Sequence, residues 1–140
     1  MAMILPVYGK DNKEVVNAYA RSLAEEMVGG ITEVPVQGEY FRAIIGPRGK
    51  VLLDLRDARL GEKISDFELS GYPVRIECGE RDLQSGKCVV ASRISGEKVV
   101  IERSELTATV DHMHIQGQEM LFEASSKRLR ENTVACETID

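Results

Sequence analysis

The amino-acid sequence predicts a single α/β domain built on one mixed β-sheet. Its 140 residues fit one domain with a core of its own. Segments with the alternating apolar pattern of strands are separated partly by helix-like segments and partly by tight turns. Strands joined through a helix pair in parallel, whereas strands joined by a tight turn pair antiparallel. The predicted order is strand, helix, hairpin, strand, short helix, three strands and long helix.

A strand and an amphipathic helix are predicted first. Ile4–Tyr8 is a short apolar strand, and Asp11 or Asn12 is placed to cap the helix that follows. Apolar residues recur on one face of that helix at Val16, Tyr19, Ala20, Leu23 and Met27. The pair Gly29-Gly30 ends the helix.

A hairpin and a central strand are predicted next. Two alternating runs flank Gly38 within Thr32–Gly49, which favours a hairpin at an edge of the sheet. Val51–Leu55 is apolar except for Asp54. Such a continuous run is typical of a strand covered on both faces, so we expect it near the centre of the sheet.

The middle of the chain predicts a short helix followed by a half-buried strand. Glu62–Ser70 is compatible with a helix that ends at Gly71. Apolar and charged residues then alternate as Val74, Arg75, Ile76, Glu77 and Cys78. This period of two predicts a strand that carries Arg75 and Glu77 outward, on its open face.

The last part of the chain predicts a second hairpin and a long helix. Lys87–Arg93 and Glu97–Arg103 have strand patterns, and Ser95-Gly96 between them is a hairpin turn. Ser104 is placed to cap a long helix with an apolar stripe. The helical pattern fades after Asn132.

Composition limits the compartment and the kind of partner. The net charge of -5 argues against duplex DNA, which needs a basic surface, but leaves room for a partner recognised mainly through base edges. No apolar run approaches the roughly 20 residues that cross a bilayer, so we expect no membrane partner. The cysteines lack C-x-x-C spacing and are odd in number: Cys78, Cys88 and Cys136. Free thiols of this kind indicate a reducing compartment, and we expect a cytoplasmic protein.

The sequence contains no evident catalytic or metal-binding constellation. Gly46–Lys50 is a turn with two cations whose spacing differs from that of a phosphate-binding loop. Asp54, Asp57, Asp66 and Glu68 are interleaved with Arg56, Arg59 and Lys63. A metal site would not surround its carboxylates with so much positive charge. We therefore expect no catalytic site, metal or cofactor in this chain.

A set of ordered motifs points instead to recognition of RNA bases. They are Gly61–Lys63, Glu68–Gly71, Pro73–Glu77, Gly79–Leu83 and Ser92–Lys98. Together they resemble the anticodon-binding domain of prolyl-tRNA synthetases, over Ile4–Asn132 apart from Thr32–Gly49. The R-I-E…R-D-L run and the S-R…G-E-K hairpin favour the prolyl branch over the threonyl, histidyl and glycyl branches, which stay as alternatives.

The resemblance implies a fold and domain boundaries. It implies a five-stranded mixed sheet flanked by three helices. The anticodon-binding domain would occupy residues 1–132, with 32–49 as a hairpin insertion. Residues 133–140 would then begin a C-terminal extension.

The resemblance also implies a site that reads the two guanines of the proline anticodon. Carried over by position, Glu68, Arg75 and Asp82 are the base-reading residues, converging at one edge of the sheet, and Arg81 lies near the RNA backbone. Ile64 stands where the family has a phenylalanine, so an aromatic stacking face is missing there. The chemistry agrees, because a carboxylate accepts from the N–H groups of guanine. An arginine donates to guanine O6 and N7 or holds the carboxylate in place.

The implied partners are the anticodon stem-loop of proline tRNA and the catalytic domain of a parent enzyme. That enzyme would be a homodimer that ligates proline to tRNA, using ATP and magnesium in its catalytic domain. No motif of the catalytic domain is found in this sequence. The competing interpretation is a stand-alone interaction or dimerisation module that reuses the fold, with Thr32–Gly49 as its partner surface.

Overall fold

One sheet runs through the whole molecule. The computed structural model describes the backbone of residues 2–7, 11–38 and 40–139, and the side chains of the same residues except 37 and 129–139. Within these ranges seven strands form one sheet in the order β2-β3-β4-β1-β5-β6-β7. The strands are β1 (Ala2–Pro6), β2 (Thr32–Gln37), β3 (Phe41–Gly46), β4 (Gly49–Asp54), β5 (Val74–Cys78), β6 (Lys87–Ser92) and β7 (Lys98–Glu102).

The pairing of the strands confirms the mixed sheet. β1 lies at the centre and pairs in parallel with β4 and β5, to which it is connected through helices. The remaining neighbours, which are joined by hairpins or short connections, pair antiparallel.

The expected number of five strands is wrong for the sheet as a whole. Five of the seven strands form the series β4-β1-β5-β6-β7, and the β2–β3 hairpin adds two more at the β4 edge. The hairpin joins the sheet because β3 continues the ladder on both sides, with Ala43 opposite Leu52 of β4 and Val34 of β2. The hairpin itself was predicted, and its origin as an insertion stays a prediction.

Helices cover both faces of the sheet. They are α1 (Lys13–Val28), α2 (Leu60–Ser70), α3 (Glu80–Ser85) and α4 (Leu106–Ile139), and a single 3₁₀ turn (Arg103–Glu105) precedes the last. α1, α2 and α4 correspond to the three expected helices, whereas α3 was not predicted. In the part of the chain that the structure describes, no helix has the length and apolar character needed to cross a membrane.

Two apolar clusters hold the layers together. The larger one packs α1 and the start of α4 on one face of the sheet, and includes Ile4, Leu23, Ile44, Leu53, Ile76, Val90, Leu106 and Val110. The smaller one lies under α2 on the other face, and consists of Met3, Leu5, Ala43, Leu52 and Phe67 with half-buried neighbours. Since α2 alone packs on this second face, parts of the face on either side of α2 are left open.

The basic turn at Gly46–Lys50 closes the end of α1. The backbone N–H of Arg48 donates to Val28 O at 3.0 Å, and Arg48 Nη2 donates to Glu26 O at 2.9 Å. These bonds satisfy carbonyls that a helix C-terminus leaves unpaired. A Cβ atom at Gly46 would lie 2.5 Å from Val28 O, so only glycine permits this approach. The turn therefore has a structural role, as its sequence indicated.

A buried lysine joins α2 to the ends of two central strands. Lys63 is 1% exposed, and its Nζ donates to Pro6 O at 2.9 Å and to Asp54 O at 3.2 Å. Burial lowers the pKa of this amine below its usual value. Lys63 thus fixes the start of α2 over the carboxyl ends of β1 and β4.

The ends of several elements differ from the prediction. β1 ends at Pro6, and Tyr8 lies outside the described residues. Asn12 precedes α1 but makes no side-chain capping bond, and its Nδ2 donates to Glu80 Oε2 at 2.8 Å. α4 continues to Ile139, past the point where its pattern fades. The C-terminal extension from residue 133 stays a prediction.

Candidate nucleic-acid interface

Beside α2 the sheet presents an open surface formed by its last three strands. Alternation in β5 sends Val74, Ile76 and Cys78 into the larger core, so Arg75 and Glu77 face the other way. The register of the three strands then aligns two rows, Arg75–Ala91–Lys98 and Glu77–Val89–Val100. We call these six residues the β5–β7 face. It combines charge with apolar surface, since Val100 is 66% exposed.

An ion-pair network crosses this face. Arg75 Nε donates to Glu77 Oε2 at 3.0 Å, and Lys98 Nζ lies 3.5 Å from the same oxygen. The side chains of Arg75 and Glu77 are only 13% and 8% exposed. The two residues point away from the main core as predicted, but the expectation of an open position is wrong. Their neighbours cover them, and each screens the other's charge.

Glu68 is the exposed carboxylate of the same network. Its Oε1 lies 3.9 Å from Arg75 Nη1, and its side chain is 53% exposed. The guanidinium of Arg75 also lies over the ring of Phe67, 5.7 Å from the ring centre. Arg75 is therefore held from two sides, and it presents a cationic surface next to a carboxylate that solvent reaches.

Asp82 lies in a different environment, in the first turn of α3. Its Oδ2 accepts a hydrogen bond from the backbone N–H of Gly79 at 2.9 Å, which caps the helix. Arg81 beside it is exposed. Both residues line an open groove of about 530 Å³ whose wall also includes Glu77 and Val89. The groove thus continues from the β5–β7 face.

The expected convergence of Glu68, Arg75 and Asp82 at one edge of the sheet stays a prediction. Glu68 stands beside the start of β5, while Asp82 follows the end of that strand. Arg75 and Cys78 are three residues apart in β5, a distance of about 10 Å at the usual rise of a strand. The three candidates therefore lie along β5, with Glu77 between them.

The thiols near the groove belong to the core. Cys78 and Cys88 are free and fully buried on neighbouring strands. Burial raises the pKa of Cys78 to about 12 and that of Cys88 to about 11. Both remain protonated thiols near neutral pH, as their strand patterns indicated. The side chain of Cys136 lies outside the described residues.

The carboxylates that lie near α2 form ion pairs. Asp54 is buried, and both of its oxygens accept from Arg56, at 2.9 and 2.8 Å. Asp66 Oδ2 lies 2.7 Å from Nη2 of the same arginine. Among the described residues no group of three or more metal-ligating side chains is close enough to hold an ion.

Comparison with known proteins identifies the family. The model of the family described as "Anticodon binding domain" matches residues 2–113. The chain belongs to the anticodon-binding domain family.

Proline--tRNA ligases are similar to this anticodon-binding domain over almost its whole length. The enzyme of Pyrococcus abyssi is 33% identical over 139 residues, which is 99% of this chain and 25% of the relative. That of Thermococcus kodakarensis is 34% identical over 143 residues, with the same coverage of each. The bifunctional glutamate/proline--tRNA ligase of Mus musculus is 36% identical over 103 residues, or 73% of this chain and 7% of the relative. The resemblance to the prolyl branch is confirmed, and the chain spans about a quarter of the length of the two archaeal relatives.

Two positions of the anticodon-binding domain acquire a clearer role from the structure. Ile64 is half-buried and packs against the smaller core, so it contributes to holding α2 on the sheet. Lys98 was not singled out from the sequence, although it shares the β5–β7 face with Arg75. Its position opposite Ala91 follows from the observed register of the β6–β7 hairpin. The predicted two-residue turn at Ser95-Gly96 would instead have placed Val100 opposite Ala91, so the turn signal gives the wrong register.

Proposed function

We propose that this domain reads the guanines of the proline anticodon, with Glu68 and Arg75 at the centre of the site. The observation that supports the proposal best is the geometry of this pair. Glu68 offers a half-exposed carboxylate, and Arg75 beside it is immobilised by Glu77 and by the ring of Phe67. A fixed donor next to an accessible acceptor matches the donors and acceptors of a guanine edge.

Each charged group has a separate task in this proposal. The Glu68 carboxylate accepts from N1–H and N2–H of one guanine, and Arg75 holds that carboxylate or donates to guanine O6. Asp82 faces the second guanine with the acceptor capacity that is left after it caps α3. Because Glu68 and Asp82 lie beside opposite ends of β5, the two guanines would be bound unstacked from each other. Arg81 is exposed and lies near the RNA backbone.

The net charge of the domain indicates that contacts with the edges of the bases supply most of its affinity for RNA. The chain carries a net charge of -5, so attraction of phosphates contributes little affinity. The β5–β7 face supplies Lys98 and exposed Val100 next to the ion pairs, which suits an unstacked nucleotide with apolar faces and a charged backbone. We therefore expect affinity to fall less steeply with salt than it does for a basic RNA-binding domain.

The wider assignment concerns the protein of which the domain is part. Since similar proline--tRNA ligases are about four times longer, we place this domain in such an enzyme, next to a catalytic domain that binds ATP and magnesium. That enzyme ligates proline to the tRNA whose anticodon stem-loop this domain binds. We place it in the cytoplasm as a homodimer.

The test uses two variants that keep size but exchange an acceptor oxygen for an amide donor, Glu68→Gln and Asp82→Asn. Binding to proline tRNA is measured at fixed salt, together with binding to transcripts in which either anticodon guanine is changed to adenine. We expect Glu68→Gln to weaken native binding by about 1–3 kcal/mol, and to reduce the penalty for the altered transcript.

The matched control is Glu119→Gln, an exposed carboxylate on α4 beyond the opposite face of the sheet. A carboxylate that is merely exposed should show the opposite sign, because removal of a negative charge slightly strengthens binding to a polyanion. If Glu68→Gln binds native tRNA as well as the Glu119→Gln control does, the assignment of Glu68 fails.

A further inference from the structure

A second open cleft lies on the other side of α2. Glu68 and Asp66 are two residues apart, so they project from nearly opposite sides of the helix. On the Asp66 side, β3 and β4 of the sheet are only partly covered, which leaves a cleft of about 350 Å³. This volume falls within the usual range for small-molecule sites, about 300–1,000 Å³.

The cleft has an apolar interior and one aromatic wall. Met3 and Leu52 form its floor, while Val36 and Phe41 of the hairpin form its side. The guanidinium of Arg56 lies over the Phe41 ring, 4.9 Å from its centre. Because the buried carboxylate of Asp54 binds Arg56 through two hydrogen bonds, this stacked wall is held in place.

The rim of the cleft supplies mainly hydrogen-bond acceptors. The carboxylate of Asp66 is 48% exposed. The Ser70 hydroxyl donates to Phe67 O at 2.6 Å and accepts from the Tyr72 N–H at 3.4 Å, so its oxygen can accept one further hydrogen bond. Arg56, the only cation among the described residues that line the cleft, is already paired with both Asp54 and Asp66.

We infer that this cleft is a second base-binding site of the domain and that it binds a purine from the same RNA loop. A purine has flat apolar faces for Phe41 and Val36, and its N–H groups can donate to Asp66 and Ser70. The inference rests on the proposed function, because the cleft and the Glu68–Arg75 pair share α2 and would be occupied by one strand that passes over this helix. In this inference Phe41 of the β2–β3 hairpin is an aromatic residue on which a base stacks. The position of Ile64 offers no such ring.

The charges of the cleft disfavour the other classes of occupant. A phosphate would meet the carboxylate of Asp66, and Arg56 has its charge compensated by two carboxylates. An arginine side chain from a protein partner would place a second cation beside Arg56 on the same ring. A neutral planar donor avoids both conflicts.

The first test measures binding of mononucleotides by NMR to the isolated domain. Guanosine and adenosine monophosphates should shift the ring resonances of Phe41 and the amide of Ser70, whereas uridine monophosphate at the same concentration should shift them much less. N-acetyl-arginine amide is titrated in parallel. Equal shifts from all three nucleotides, no shifts, or shifts from the arginine probe alone would overturn the inference.

The second test uses Phe41→Leu, which keeps apolar bulk but removes the ring, and Phe41→Tyr, which keeps it. Loss of one stacking contact should weaken binding of proline tRNA about 5- to 100-fold in Phe41→Leu, and Phe41→Tyr should bind like the parent. The control is Phe122→Leu, an exposed phenylalanine on α4. Thermal unfolding confirms that every variant is folded.

The two proposals fail in different ways. If Glu68→Gln weakens tRNA binding and Phe41→Leu does not, the purine cleft is wrong while the anticodon site stands. If Phe41→Leu and Glu68→Gln both leave binding unchanged, the proposed function itself is wrong. The mononucleotide titration needs no tRNA, so it tests the cleft independently of the anticodon.

Discussion

Replacing Arg75 by alanine should destabilise the fold as well as weaken RNA binding. The alternation in β5 alone predicts that this variant folds normally, because the apolar face of the strand is untouched. In the structure Arg75 is 13% exposed and pairs with Glu77, whose side chain is 8% exposed. Removal of Arg75 would leave a buried carboxylate with Lys98 as its remaining cation, at 3.5 Å.

The magnitude follows from the burial of this pair. Breaking a buried ion pair from one side costs about 3–5 kcal/mol, and the loss of the contact with Phe67 adds about 0.5–1 kcal/mol. Lys98 compensates part of the charge that is left on Glu77. We therefore expect Arg75→Ala to lower the free energy of unfolding by about 2–3 kcal/mol.

Urea denaturation of the parent, Arg75→Ala, Glu77→Gln and the double variant measures this effect. If the cost comes from an unpaired Glu77, the double variant should be more stable than Arg75→Ala alone, and the cycle gives a coupling energy. The reasoning would be refuted if Arg75→Ala unfolded within about 0.5 kcal/mol of the parent, a difference typical of exposed sites. tRNA binding by Arg75→Ala is informative only under conditions where the variant is folded.

Two further predictions concern stability. Gly46→Ala should lower the free energy of unfolding by more than about 2 kcal/mol, because its Cβ would lie 2.5 Å from a backbone oxygen at the end of α1. Gly61→Ala should be neutral or slightly stabilising, because nothing lies within 4 Å of its Cβ. Thermal unfolding of the two variants compares these effects. The raised pKa of Cys88, about 11 against an ordinary 9.0, contributes stability that is complete below pH 9 and is lost as the pH rises towards 11. Urea denaturation between pH 8 and 11 should therefore show that the free energy of unfolding falls less with rising pH in Cys88→Ala than in the parent. An equal fall in the two proteins would contradict the assignment.

The order of the elements was predictable because periodicity marks each of them. The alternation in β5 and the apolar stripe of α1 are long enough to be read without tertiary information. The number of strands in the sheet was not predicted correctly. The resemblance implied five strands, while the chain itself contains seven strand-like segments. Backbone pairing of β3 with β4 decides that the hairpin extends the sheet, and only the register shows this pairing.

α3 was missed for a local reason. Its six residues, Glu80–Ser85, are too few and too polar to give a periodic signal. The Asp82 carboxylate stabilises the helix by accepting from Gly79, and the same side chain was interpreted from the family pattern as a base-reading group. A motif specifies which residue is present, whereas the competing demands on that residue become visible only when its neighbours are known.

In the candidate site too, the sequence pattern names the residues, whereas their contacts are visible only in the structure. The pattern named Glu68 and Arg75 among the base-reading candidates, and in the structure Arg75 Nη1 lies 3.9 Å from Glu68 Oε1. It did not show that Glu77 takes the Nε side of Arg75, or that Lys98 approaches from β7. The Lys98–Glu77 contact joins two strands that are distant in sequence, so no local spacing encodes it, while the alternation in β5 puts Arg75 and Glu77 on one face without showing that they pair.

The capping role of Asp82 separates the two carboxylates that the family pattern treats as equivalent. Asp82→Asn keeps one oxygen that can accept from Gly79 but removes the negative charge from the first turn of α3, so it should lower the free energy of unfolding by about 0.3–1 kcal/mol, while Glu68→Gln should leave stability unchanged because its side chain is half exposed. A loss of tRNA affinity in Glu68→Gln therefore reports directly on base recognition. A loss of tRNA affinity in Asp82→Asn reports on base recognition only where it exceeds the loss of stability measured by denaturation. A frayed α3 would also displace Arg81 and the wall of the groove and so weaken binding indirectly. If both variants lost affinity equally while Asp82→Asn kept the stability of the parent, Asp82 would read a base and its negative charge would contribute nothing to the fold.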